Sequence, residues 1–122
     1  MTLGNFSVSL AVQDLAASRS FYQKLGFAAV GGDGQRWQIL RNGATVIGLF
    51  QGMFPRNTLT FNPGWDAECR PLAEFTDIRA LQRQLRAAGV EPVSAVDESG
   101  SGPGSFLVVD PDGNPVLVDQ HV

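Results

Sequence analysis

Asp14-Leu15-Ala16-Ala17-Ser18-Arg19-Ser20-Phe21-Tyr22-Gln23-Lys24-Leu25-Gly26 and Asp77-Ile78-Arg79-Ala80-Leu81-Gln82-Arg83-Gln84-Leu85-Arg86-Ala87-Ala88-Gly89 decide the fold. Each stretch opens on an aspartate, whose carboxylate can accept from the free N–H groups of a first helical turn. Each carries apolar residues at helical spacing: Leu15, Phe21, Tyr22 and Leu25 in one, Ile78, Leu81, Leu85 and Ala88 in the other. Each closes on a glycine, which tolerates the left-handed conformation that ends a helix. The two stretches are offset by 63 at both ends (77 minus 14, 89 minus 26). Residue similarity between them is weak, so the repeat rests on spacing and order.

Strand patterns surround both helices. Phe6 to Val12 alternates large and small residues at period two, as a strand with one packed face does. After Gly26, strands are expected at Phe27 to Gly31, Arg36 to Arg41 and Thr45 to Gln51, with Asn42-Gly43 as a hairpin turn between the last two. In the second half, strands are expected at Cys69 to Phe75, before the helix, and at Pro92 to Val96, Ser105 to Asp110 and Pro115 to His121 after it. Asp110-Pro111-Asp112-Gly113-Asn114 is a turn signal. The segment from about Gly52 to Glu68 reads as a long connection, rich in aromatics (Phe54, Phe61, Trp65) and therefore expected to fold onto the domain. Ser99 to Gly104 reads as a flexible loop. The expected organisation is one α+β domain over 1–122, built of two strand-helix-strand-strand-strand modules at about 5–51 and 68–122.

Composition narrows the function. With 43% hydrophobic and 17% charged residues, a chain of 122 residues can bury a core without a staple. A net charge of -3 and no basic stripe argue against nucleic acid or a polybasic membrane surface as partner. One cysteine, Cys69, excludes an intrachain disulfide, and one histidine, His121, excludes metal motifs that need two. No signal-like leader or membrane-length apolar run is visible, so a cytoplasmic location is expected.

Asp14-Leu15 leading to Phe21-Tyr22 and Leu25-Gly26-Phe27, with Asp110-Pro111-Asp112-Gly113-Asn114-Pro115 near the end, resembles the vicinal oxygen chelate superfamily of glyoxalases, bleomycin-resistance proteins and extradiol dioxygenases. Asn57 to Trp65 and Asp119-Gln120-His121 are similar to a subgroup of small single-domain members. The resemblance implies two βαβββ modules forming a half-open, barrel-like sheet with the helices outside. It also implies a homodimer and a ligand in the concave face. In metal-dependent members four strands supply the ligands, and the matching places here are Ser7, Gly48, Arg70 and Leu117. Serine is a poor donor, glycine and leucine offer none, and arginine is a fixed cation. The expectation is therefore no metal and no cofactor.

The candidate ligand-binding residues are Ser7, Trp37, Trp65, Arg70, Glu74, Asp119 and His121. On a strand from Cys69 to Phe75, Arg70 and Glu74 would share a face. Arg70 could clamp an anionic group of a ligand or pair with Glu74 or Asp119. Glu74 and His121 are the candidate acid–base residues, with Asp119 able to orient His121. Cys69 reads as a buried, inert thiol. The expected function is a metal-free small-molecule binder of the glyoxalase/bleomycin-resistance type. The alternatives are a metal-dependent lyase or dioxygenase with atypical ligands, or a structural dimer with a vestigial pocket.

Overall fold

The computed structural model describes residues Met1–Val122 and is α+β, with seven strands and two helices. The elements in chain order are β1 (Asn5–Val12), α1 (Leu15–Lys24), β2 (Ala28–Gly32), β3 (Trp37–Asn42) and β4 (Thr45–Gln51), then β5 (Thr58–Asn62), α2 (Ile78–Ala87), β6 (Gly104–Val109) and β7 (Pro115–Gln120). They fall into two compact units, one of Ser7–Thr58 and one of Met1–Phe6 with Leu59–Val122.

In the Ser7–Thr58 unit the strand order is β2-β3-β4-β1. Strands β1 and β4 run parallel with Ser9 opposite Gly48, while β3 and β4 form an antiparallel hairpin in which Asn42 faces Thr45 and Trp37 faces Phe50. Gly43 takes φ 58 in that turn, where the left-handed conformation favours glycine. Alternation along β1 and β4 turns Leu10, Val12, Ile47 and Leu49 towards α1. There Leu15, Leu40 and Leu49 form the buried centre and Tyr22 and Phe27 pack around it. Asp14 caps α1 by accepting from the Ala17 amide at 3.0 Å.

In the other unit the order is β5-β7-β6, with β5 and β7 parallel and Thr60 opposite Leu117. Ile78 and Leu81 of α2 pack on Phe106 and Val118, all at most 1% exposed. Burying side chains of this size contributes about 1.5–3 kcal/mol each. Asp77 caps α2 through the Arg79 amide at 2.9 Å.

A second anchor repeats in the two halves. The last residue of β4, Gln51, accepts from the Leu15 amide through Oε1 at 2.8 Å. The last residue of β7, Gln120, accepts from the Ile78 amide through Oε1, also at 2.8 Å. Each glutamine therefore satisfies a free N–H in the first turn of its helix and ties that helix to a strand end. Gln120 is 1% exposed, and its amide nitrogen also donates to Asp77 Oδ2 and to the carbonyls of Gly102 and Val122.

The helices and their aspartate and glycine ends stand where the 63-residue offset places them. The strands of the second half differ. Cys69 to Phe75 is not a strand: Cys69 takes φ 64, and Asp66 Oδ1 closes a turn by accepting from the Glu68 and Arg70 amides. The strand preceding α2 is β5, inside the stretch read as a connection. Its alternating Thr58-Leu59-Thr60-Phe61-Asn62 is a strand pattern hidden between prolines. Pro92 to Val96 contributes only a bridge between Ser94 and Leu107.

Acid should loosen the α2 anchor. Burial alone raises the Asp77 carboxyl, but hydrogen bonds from the Arg79 amide, the Gln120 amide and the Arg79 guanidinium outweigh it and hold the group below its ordinary value. A carboxyl depressed in the folded state contributes stability above its unfolded value, and that stability is lost as pH falls through the folded value. Urea midpoints should therefore fall as pH drops below about 4. Asp77→Asn should make that fall shallower. An unchanged slope in the variant would contradict the role given to this carboxylate.

Candidate functional site

The Ser7–Thr58 unit places an aromatic cluster on the sheet face opposite α1. Gly48 and Phe50 share that face of β4, and the β3–β4 register brings Trp37 beside Phe50. The rings of Trp37 and Phe50 are stacked, with centroids 6.2 Å apart and planes 7° from parallel. Phe54 tilts onto Phe50 at 4.8 Å. The missing side chain at Gly48 makes this arrangement possible. A Cβ there would lie 2.5 Å from Cε2 of Phe50 and 3.5 Å from Cδ1 of Ile39. The Phe50 ring therefore occupies the space that a longer side chain at position 48 would need. Trp37, Phe50 and Phe54 are half-buried, whereas Ser7 and Ser9 are 3% and 2% exposed.

The second unit gathers three of the expected residues. Nε2 of His121 lies 3.1 Å from Oδ2 of Asp119, and the two side chains are about one-third exposed. The Trp65 ring stacks on His121 with centroids 4.3 Å apart and planes 16° from parallel. The backbone beneath is fixed by Asn62, whose Nδ2 donates to the Asp119 carbonyl at 2.9 Å. A histidine oriented by a carboxylate can move a proton, and its stacked ring gives a flat surface for a ligand.

Arg70 and Glu74 do not join this group through a shared strand face, because no strand is formed there. Arg70 is 70% exposed in its side chain and pairs with Glu68 at 2.5 Å, not with Glu74 or Asp119. Glu74 lines a separate cavity near the segment that enters α2. Cys69 is half-buried, and its Sγ accepts from the Asn5 side chain at 3.3 Å. Ser7 and Trp37 belong to the Ser7–Thr58 unit.

The donor set does not suit a divalent ion. Gly48 and Leu117 offer no donor atom, and the residue facing Leu117 on β5 is Thr60, with Arg70 outside the strands. No group of three or more histidine, cysteine, aspartate or glutamate side chains converges anywhere in the chain. Phe50 is the residue that the sequence reading missed. The Asn42-Gly43 hairpin signal, counted back along both strands, places Trp37 opposite it.

The family model of the Glyoxalase/Bleomycin resistance protein/Dioxygenase superfamily matches residues 6–118. No curated protein matches the chain in sequence. A solved structure described as NAD-dependent benzaldehyde dehydrogenase from Legionella pneumophila is similar over 96% of this chain and 99% of its own, with a TM-score of 0.68 and 15% identity. A glyoxalase/bleomycin resistance protein/dioxygenase superfamily member from Vibrio splendidus 12B01 is similar over 95% and 97%, with a TM-score of 0.63 and 16% identity. At such identities the two structures establish the likeness of fold.

The contact between Gly48 and Phe50 is open to a double-mutant cycle. Gly48→Ala should force the Phe50 ring off its stack and destabilise the protein by about 1–3 kcal/mol. In a Phe50→Ala background the same change should cost little, because the ring it meets is gone. Equal costs in the two backgrounds, measured by urea unfolding, would contradict the packing described.

Proposed function

The chain belongs to the glyoxalase/bleomycin resistance protein/dioxygenase superfamily, and from that premise we propose that it binds a small planar molecule without a metal ion. The observation that carries this reading is the Phe50 ring above Gly48. Where a metal-dependent relative would need a donor, this chain has an aromatic surface of Trp37, Phe50 and Phe54. Such a surface suits an apolar or aromatic ligand, since offset stacking adds to the gain from removing apolar area from water. Trp37 is the expected first contact, and Ser7, buried in the same unit, remains a proposed lining residue. Trp65, His121 and Asp119 form a second flat surface with polar groups at its edge, which supports a role for them in contacting a ligand. Arg70 is the weakest of the candidates, because Glu68 already engages it.

A planar aromatic probe, 2-naphthol, tests the proposal. Binding followed by tryptophan fluorescence should be the same before and after exhaustive chelation. Trp37→Ala should weaken it by about tenfold or more, in line with the loss of an aromatic contact and its buried area. Binding that vanishes on chelation and returns with zinc, nickel or manganese would overturn the metal-free reading.

We also propose that the protein is a homodimer. Met1, Phe6, Leu59 and Val93 are large apolar side chains between 40% and 70% exposed, and a twofold partner would cover such residues. Light scattering at micromolar concentration should give about twice 13.1 kDa. A stable mass of one chain across that range would contradict it.

A further inference from the structure

An open pocket of about 370 Å³ is lined only by residues of the unit of Met1–Phe6 and Leu59–Val122 and shares none with the aromatic cluster. Its lining comes from connecting segments: Thr2 and Gly4 before β1, Pro63 and Gly64 after β5, and Leu72, Glu74, Phe75 and Thr76 before α2. These segments are held together by backbone. The Leu72 amide donates to the Gly64 carbonyl at 2.7 Å. Gly64 takes φ 96, and a Cβ there would meet Val122 Cγ2 at 2.5 Å and the Phe75 ring at 3.4 Å. Gly4 takes φ 83, and a Cβ there would collide with the Asn62 carbonyl. Neither glycine can carry a side chain without moving the wall, so the cavity is shaped by close backbone approach.

Its chemistry is asymmetric. Pro63, Leu72 and Phe75 provide apolar walls, and the single charged group is the Glu74 carboxylate. Glu74 and Thr76 make no hydrogen bond or ion pair within the chain. Arg70, the nearest cation in sequence, is engaged by Glu68 instead. An open pocket with partly exposed apolar walls at Leu72 and Phe75 and one unneutralised carboxylate suits a ligand with an apolar body and a positive end. We propose that this cavity is a binding site for a small protonated amine with an aromatic or aliphatic body, its ammonium on Glu74 and its body against Leu72 and Phe75. This site stands independently of the aromatic-face reading, since the two share no residue.

Benzylamine and its uncharged counterpart benzyl alcohol are the probes, titrated into the full chain while backbone amide NMR signals are followed. Benzylamine should shift the amides of Gly4, Gly64, Leu72 and Thr76 saturably. Glu74→Gln, at an exposed position that the fold does not depend on, should weaken benzylamine by about tenfold, the loss expected for one charge-assisted contact. Benzyl alcohol should bind the unaltered protein no better than benzylamine binds the variant. Absence of saturation, equal affinity in the Glu74→Gln variant, or equal affinity for the alcohol would overturn the proposal. Shifts confined to Trp37 through Phe54 would overturn it as well, while leaving the aromatic-face reading in place.

Discussion

Two glutamines at strand ends fix each helix on its strands. Gln51 and Gln120 each accept from the first amide of a helix, at 2.8 Å in both halves. The interaction couples two needs: a helix start has amides without partners, and a strand end must be tied to its packed helix. Once each helix is fixed this way, it covers one face of its strands with Leu15, Leu40 and Leu49 in one unit and Ile78, Leu81, Phe106 and Val118 in the other. The opposite face of β3 and β4 carries Trp37 and Phe50. Losing either glutamine would leave a buried or half-buried amide unsatisfied, a cost of about 1–3 kcal/mol.

On that opposite face the residue at position 48 decides what can pack. Glycine lets the Phe50 ring lie across the strand and stack on Trp37. A carboxylate there would need the same volume. Aromatic packing and ligation of an ion are thus competing uses of one space.

Much of this was legible in the sequence because helix punctuation is local. Asp14, Gly26, Asp77 and Gly89 act on backbone groups within a turn of themselves, so spacing alone located both helices. The β5 strand was hidden because its pattern is five residues long and sits among Pro55, Pro63 and Gly64. Cys69 to Phe75 looked extended, yet the Asp66 carboxylate bends it into a turn, and that changed the surroundings of Arg70 and Glu74. The proximity of His121 to Asp119 followed from their spacing of two residues, with His121 just past the end of β7. The stack of Trp65 on His121 did not, because it depends on a turn after β5 that no local signal announced.

The central claim is that an aromatic surface, and not a metal ion, occupies the face around Gly48. A crystal structure grown with 2-naphthol and an excess of nickel, with anomalous maps recorded at the nickel edge, tests it most directly. The account predicts planar density against Trp37 or Phe50 and no anomalous peak on the strands around Gly48. A peak coordinated by side chains of β1, β4, β5 or β7 would contradict it.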